Sequence, residues 1–138
     1  YMNKVINGDF TNGLDSWNVD EGTVKVLSEG SINFARLYAN AHLIYQRINI
    51  DKNKKYTFSC QARVSHSLLE VYVGSRRLSK PNDTARVTSI GFFEEYSVEI
   101  DNESDEYLDV ITVVMPNTFE PEEAYADLTD VSLTEIQF

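Results

Sequence analysis

The clearest two-residue period in the chain lies at 55–64, Lys-Tyr-Thr-Phe-Ser-Cys-Gln-Ala-Arg-Val. Tyr56, Phe58, Cys60, Ala62 and Val64 fall on one side of it, and Thr57, Ser59, Gln61 and Arg63 on the other. Side chains alternate across an extended backbone, so this pattern predicts a strand with the first set in a core. Similar alternation marks 23–27 and 33–38. At 42–50, Ile44, Gln46, Ile48 and Ile50 share a side opposite Tyr45, Arg47 and Asn49. At 68–74, Leu69, Val71 and Val73 oppose Glu70 and Tyr72, and at 92–100, Tyr96, Val98 and Ile100 oppose Glu95, Ser97 and Glu99. A short strand is expected at 86–90 and a long closing one at 124–138. The stretch 107–115 is apolar on both sides, the pattern of a strand in the middle of a sheet covered on both faces.

Polar turns separate these runs, at 28–31, 51–54, 74–83, 102–106 and 116–123. No segment carries a 3.6-residue period. Short strands at regular spacing with turn signals between them predict an all-β sandwich of two antiparallel sheets. No linker or internal repeat divides the chain, so 1–138 is expected to form one domain.

The stretch 1–17 is organised differently. Val5-Ile6 enters a turn at Asn7-Gly8-Asp9, Phe10 follows, and a second turn at Asn12-Gly13 leads to Leu14 and Trp17. Asn, Asp and Gly accept left-handed backbone and bond their own main chain, so both turns have a mechanism. Phe10, Leu14 and Trp17 are then free to bury. A compact knot is expected here, fastening the start of the chain to the sandwich.

The composition narrows the partners. The 138 residues carry 22 acidic and 12 basic side chains, a net charge of −10. Phosphate binding wants a basic face, so nucleic acid and anionic membrane surfaces are excluded as expected partners. Acidity is compatible with a secreted module and with a site for a hard cation. No apolar run reaches the roughly 18 residues of a membrane span, so no membrane insertion is expected. The single cysteine, Cys60, cannot form an internal disulfide and reads as a small buried hydrophobe. His42 and His66 have no metal-ligand spacing, and no nucleophile or phosphate-loop motif occurs. The adjacent glutamates Glu94-Glu95 and Glu122-Glu123 do not form a catalytic pair, since neighbours on a strand point apart. No enzymatic activity is expected. The basic residues Arg76, Arg77 and Lys80 read as a solvated loop near a hairpin tip, or as a surface for an acidic partner.

Four segments together carry a resemblance: Asn-Gly-Asp-Phe with Gly-Leu-Asp-Ser-Trp at 7–17, Tyr-Gln-Arg-Ile-Asn-Ile at 45–50, Lys-Lys-Tyr-Thr-Phe-Ser-Cys-Gln-Ala-Arg at 54–63, and Ala-Asp-Leu-Thr-Asp-Val-Ser-Leu at 126–133. In order and spacing the chain resembles the jelly-roll carbohydrate-binding modules of families four, nine and twenty-two, within the galactose-binding-like β-sandwiches. Those open Asn-Gly-x-Phe…Trp, carry Tyr-x-x-Ser-x-x-x-Arg, and end Asp-Asp-Val-Ser-Leu. Two departures stand out: Thr11 where Glu is common, and Thr129 in place of the first closing Asp.

The resemblance implies a structural Ca²⁺ between the start of the chain and the last strand, at Asn7, Asp9 and Asp130, with main-chain oxygens near Gly30. Calcium takes six to eight hard oxygens, which two turns can supply. Asn7 and Asp9 are equally explained as turn formers. The resemblance also implies a sugar site on a sheet face. The residues of suitable type are Tyr45, Arg47, Gln61, Arg63, Glu70 and Tyr72, expected on strands of one sheet. Stacking one sugar face removes about 100 Å² of apolar surface, worth about 2.5 kcal/mol. With a few hydrogen bonds at about 1 kcal/mol each, the sum after association costs is a millimolar-to-micromolar binder, useful when tethered. Two functions follow. One is a non-catalytic module that attaches a larger protein or particle to a poly- or oligosaccharide. The other is a structural, adhesion or decoration domain packed against subunits of a phage virion or surface assembly. Either would work outside a cell, at a cell surface or on a virion.

Overall fold

The computed structural model describes residues 2–137, so Tyr1 and Phe138, the outer ends of the opening stretch and the closing strand, lie outside it. Ten strands form two five-stranded sheets and no helix forms among the described residues. The first sheet holds, in spatial order, β1 (Asn18–Val19), β4 (Leu43–Asn49), β9 (Tyr107–Val114), β6 (Val71–Arg76) and β7 (Asp83–Arg86). The second holds β2 (Val24–Glu29), β3 (Ile32–Tyr38), β10 (Tyr125–Glu135), β5 (Lys54–Val64) and β8 (Glu94–Asn102). All pairings within the sheets are antiparallel. From β3 to β6 the chain changes sheet at every connection, and again from β7 through β10.

The core lies between the sheets. Tyr56, Phe58, Cys60, Ala62 and Val64 of β5 enter it as the alternation predicts, and meet Ile44, Ile48, Val71, Val73, Leu108 and Val110 of the first sheet. Burying each large side chain contributes about 1.5–3 kcal/mol. The doubly apolar stretch forms β9, the central strand of its sheet.

Several boundaries differ from expectation: the strand expected at 68–74 begins at Val71, that at 92–100 begins at Glu94, and the closing strand ends at Glu135. The stretch 74–83 is not one loop: β6 runs on to Arg76 and β7 begins at Asp83. Strand structure expected at 86–90 ends at Arg86 instead. Beyond it Val87 donates to the carbonyl of Val71, while the hydroxyl of Tyr96 accepts from the amides of Thr88 and Ser89, both at 2.9 Å. Side-chain satisfaction of backbone groups here replaces a ladder, and period 2 cannot reveal it.

The opening knot forms around Asn7. Its backbone is left-handed (φ 57°), its amide nitrogen donates to the carbonyls of Gly13 and Asp15, and its Oδ1 accepts from the amide of Asn12. Its own carbonyl accepts from Trp17 Nε1 at 2.9 Å. Phe10, also left-handed at φ 58°, is held by burial and by stacking on Trp17, with ring centroids 5.2 Å apart. Gly8 lies so close to β10 that a Cβ would come within 2.1 Å of the Val131 carbonyl, and its own carbonyl accepts from the Val131 amide. Gln46 of β4 binds both backbone groups of Ile6. The segment thus ties β10 of one sheet to β4 of the other.

Candidate functional site

The outward positions of the first sheet follow from its register. Arg47 of β4 and Arg76 of β6 both stand opposite Asp109 of the central strand. Asp109 is buried, and both arginines donate to it: Arg47 Nε to Oδ1 at 3.0 Å, and Arg76 Nη2 to Oδ2 at 2.8 Å. Their side chains stay 56% and 40% exposed. Burial pushes the Asp109 carboxyl up, but hydrogen bonds from Arg47 and Arg76 outweigh it and hold the group below the usual carboxylate range. The carboxylate therefore serves as an anchor, spreading two forked guanidinium groups across the sheet surface.

Tyrosines frame this anchor. The Arg47 guanidinium lies 4.2 Å from the ring centre of Tyr107, and that of Arg76 lies 5.4 Å from Tyr45. Tyr72 is two positions along β6 from the tight approach of Gly74 to β7, where a Cβ would come within 2.1 Å of the Asp83 carbonyl. The Tyr72 hydroxyl donates to Glu70 at 3.3 Å. Beside the arginines is a cleft of about 470 Å³, between Tyr107, Arg47, Arg76 and Asp109 on the sheet and Arg77, Leu78 and Asn82 of the following loop. Planar donors beside aromatic rings suit the recognition of sugar hydroxyls and carboxylates. The Asp109 carboxylate, tied to two arginines, is not poised to move a proton.

Four of the sequence-predicted residues, Tyr45, Arg47, Glu70 and Tyr72, lie on or beside this first sheet. Gln61 and Arg63 do not join them, because β5 belongs to the second sheet. The expectation that all six share one sheet is corrected accordingly. Arg63 is moreover occupied: Nε donates to Asp127 at 2.8 Å, Nη2 donates to Glu29 at 3.1 Å, and its guanidinium lies 4.2 Å from the Phe93 ring. Arg36 holds the same fully buried Asp127 through two hydrogen bonds of 2.8 and 3.0 Å and stacks 3.7 Å from Tyr125. With Phe34 buried between them, these groups seal part of the second sheet's outer face. Gln61 is half-buried beside Thr129 and Glu95.

The sequence reading missed Asp109, Tyr107 and Arg76. Asp109 had a signal, a lone charge in an apolar strand. Arg76 is placed by the sequence, with Arg77 and Lys80, in a solvated loop or on a surface for an acidic partner. It is instead a strand residue, and Arg77 is 3% exposed, donating to Asp83 at 2.8 Å and to the Asp101 carbonyl at 2.8 Å.

At the knot, Asp9 and Asp130 line a shared cleft of about 160 Å³ with Thr11, Ser31, Ile32, Asn33 and Thr129. A bulge in β10 between Thr129 and Ser132, with Asp130 at φ 49°, turns Asp130 outward. Asp9 Oδ1 accepts from the Thr11 amide, which holds its carboxyl below the usual range. Asn7 also borders the neighbouring cleft, but its side chain is spent inside the turn. Among the described residues no three His, Cys, Asp or Glu side chains converge as metal ligands. A cation here would rest on Asp9, Asp130 and backbone oxygens. His66 contacts Ser65 Oγ at 2.8 Å and the Phe119 ring, in an exposed position.

No family model matches the sequence, and no curated protein matches it. Solved structures share the fold. The module TmCBM61, in complex with β-1,4-galactotriose, matches with a TM-score of 0.73 and 14% identity over 99% of this chain and 100% of that one. The xylan-binding CBM22-1 domain of Paenibacillus barcinonensis Xyn10C matches with a TM-score of 0.65 and 12% identity, over 95% and 93%. The enzymatically active domain of tailspike protein 4 of bacteriophage CBA120 matches with a TM-score of 0.72 and 13% identity, over 97% of this chain and 21% of that one. The fold is that of the carbohydrate-binding-module β-sandwiches, as the sequence resemblance implies.

Proposed function

We propose that this protein is a non-catalytic carbohydrate-binding module and that its ligand face is the outer face of the first sheet. The observation that carries this reading is the group Tyr107, Arg47, Asp109 and Arg76, with Tyr45 and Tyr72 alongside: aromatic rings and oriented planar donors bordering a cleft of about 470 Å³. One module of the same fold was solved with a galactotriose and another is xylan-binding. Attaching a larger protein or particle to a glycan is the use that fits a weak single site. An affinity gel or glycan array with soluble polysaccharides tests it. Binding that is lost in Tyr107→Ala supports the reading, and no binding to any glycan overturns it.

The fold match to a phage tailspike domain favours a second reading, a structural or decoration domain of a virion or surface assembly. Concentration-dependent oligomers in light scattering, without glycan binding, would support it. Either use places the protein outside a cell, at its surface or on a virion.

A calcium ion at Asp9 and Asp130 belongs to the same proposal as a structural cofactor. Titrating Ca²⁺ into chelator-treated protein should raise its melting temperature with concentration, as any ligand of the native state does. An unchanged melting temperature removes the ion.

A further inference from the structure

We infer that the cleft at 76–82 takes the carboxylate of an acidic sugar, so that the preferred ligand is a uronate-containing glycan; this rests on the glycan-binding reading of the same face. Arg47, Arg76, Arg77 and Asp109 line the cleft, and the Arg47 and Arg76 side chains reach solvent there. Asp109 is shared by Arg47 and Arg76, so it neutralises only one of them. Asp83, at 2.8 Å, and Asp105, at 4.0 Å, compensate Arg77, so the surplus positive charge at the cleft is the second guanidinium of the Arg47–Arg76 pair. On a chain of net charge −10, this excess of cation at one hollow is local and specific.

The donors are also incompletely used. Arg47 gives Nε and Nη2 to Asp109, Arg76 does the same, and no described residue accepts from Nη1 of either. Arg77 is more than nine-tenths buried, yet its Nε has no partner among the described residues. A buried N–H without an acceptor is costly, so an acceptor from a ligand that reaches it would be favoured. A carboxylate matches the fork of a guanidinium in shape and charge, which a sugar hydroxyl does not. Tyr107 and the exposed Leu78 offer apolar surface for the ring that carries the carboxylate.

The test compares polygalacturonate and alginate with the same polymers after their carboxyls are reduced to alcohols, by calorimetric titration. The acidic forms should bind about tenfold or more tightly, the value of one charge-assisted contact. Their affinity should fall as ionic strength rises from about 0.01 M to about 1 M, where the screening length drops from about 30 Å to about 3 Å. Leu78→Glu places a like charge at the rim without touching a buried contact, and should weaken acidic binding several-fold while leaving the melting temperature unchanged. Equal or tighter binding of the reduced polymers overturns the inference and leaves the glycan-binding reading standing. Binding to no member of a panel of acidic and neutral glycans overturns both. Acidic binding indifferent to Leu78→Glu moves the carboxylate elsewhere and also overturns the inference.

Discussion

The side-chain amide of Gln46 donates to the carbonyl of Ile6 at 2.9 Å and accepts from its N–H at 2.8 Å. One side chain thus satisfies both backbone groups of a residue that belongs to no strand. Gln46 faces inward on β4, the side reserved for Ile44 and Ile48, and its burial is tolerated because both polar ends are bonded.

Gln46→Ala should therefore cost about 1–3 kcal/mol, from two lost hydrogen bonds that hold the opening segment to β4. Urea denaturation reads this. An effect below about 0.5 kcal/mol would mean that the opening segment is not fastened through this residue.

Asp109 links stability to pH. Its carboxyl is held below the ordinary range, so its contribution is complete above the unfolded pKa of about 3.9 and is lost as pH falls through the lowered native value. Asp109→Asn should reduce stability at neutral pH by about 1–3 kcal/mol, less than for a fully buried pair because both arginines are half in water. The difference from wild type should shrink in acid, as read by melting temperature against pH.

The two sheet faces should separate cleanly in binding assays. Tyr107→Ala should abolish most glycan retention on an affinity gel, whereas Gln61→Ala, on the opposite side of the sandwich, should leave it intact. Asp127→Ala should instead destabilise the fold by about 3–5 kcal/mol, since it strands Arg36 and Arg63 without their buried partner. Glycan loss in Gln61→Ala with normal folding would transfer the site to the second sheet.

Cys60 should be inert in the native protein. Burial pushes its thiol up to about 12, so almost no thiolate exists at neutral pH. A thiol reagent should label it only in denaturant. Rapid labelling without denaturant would show that β5 opens locally.

Much of the fold was legible in the chain. Alternation at 55–64 identified the core side of β5 residue by residue, and the doubly apolar 107–115 announced a central strand. Asn7, Gly8 and Asn12-Gly13 marked the knot because their turn chemistry is local. The strand expected at 86–90 misplaced β7, since the hydroxyl of Tyr96 satisfies the backbone there from eight residues away along the chain.

The sequence by itself thus determined which side of β4, β5, β6 and β8 faces inward, because alternation is a property of one strand. Sheet membership was decided only by the tertiary structure, because it depends on which strands come to lie side by side after the chain has crossed between layers. Tyr45, Arg47 and Tyr72 stayed together, while Gln61 and Arg63 went to the opposite face when β5 paired with β10 and β8. In the other sheet, the pairing of β9 with β4 and β6 brought Arg47, Arg76 and Asp109 onto one hydrogen-bonded row. That row exists only through register between strands, and no spacing along the chain encodes it.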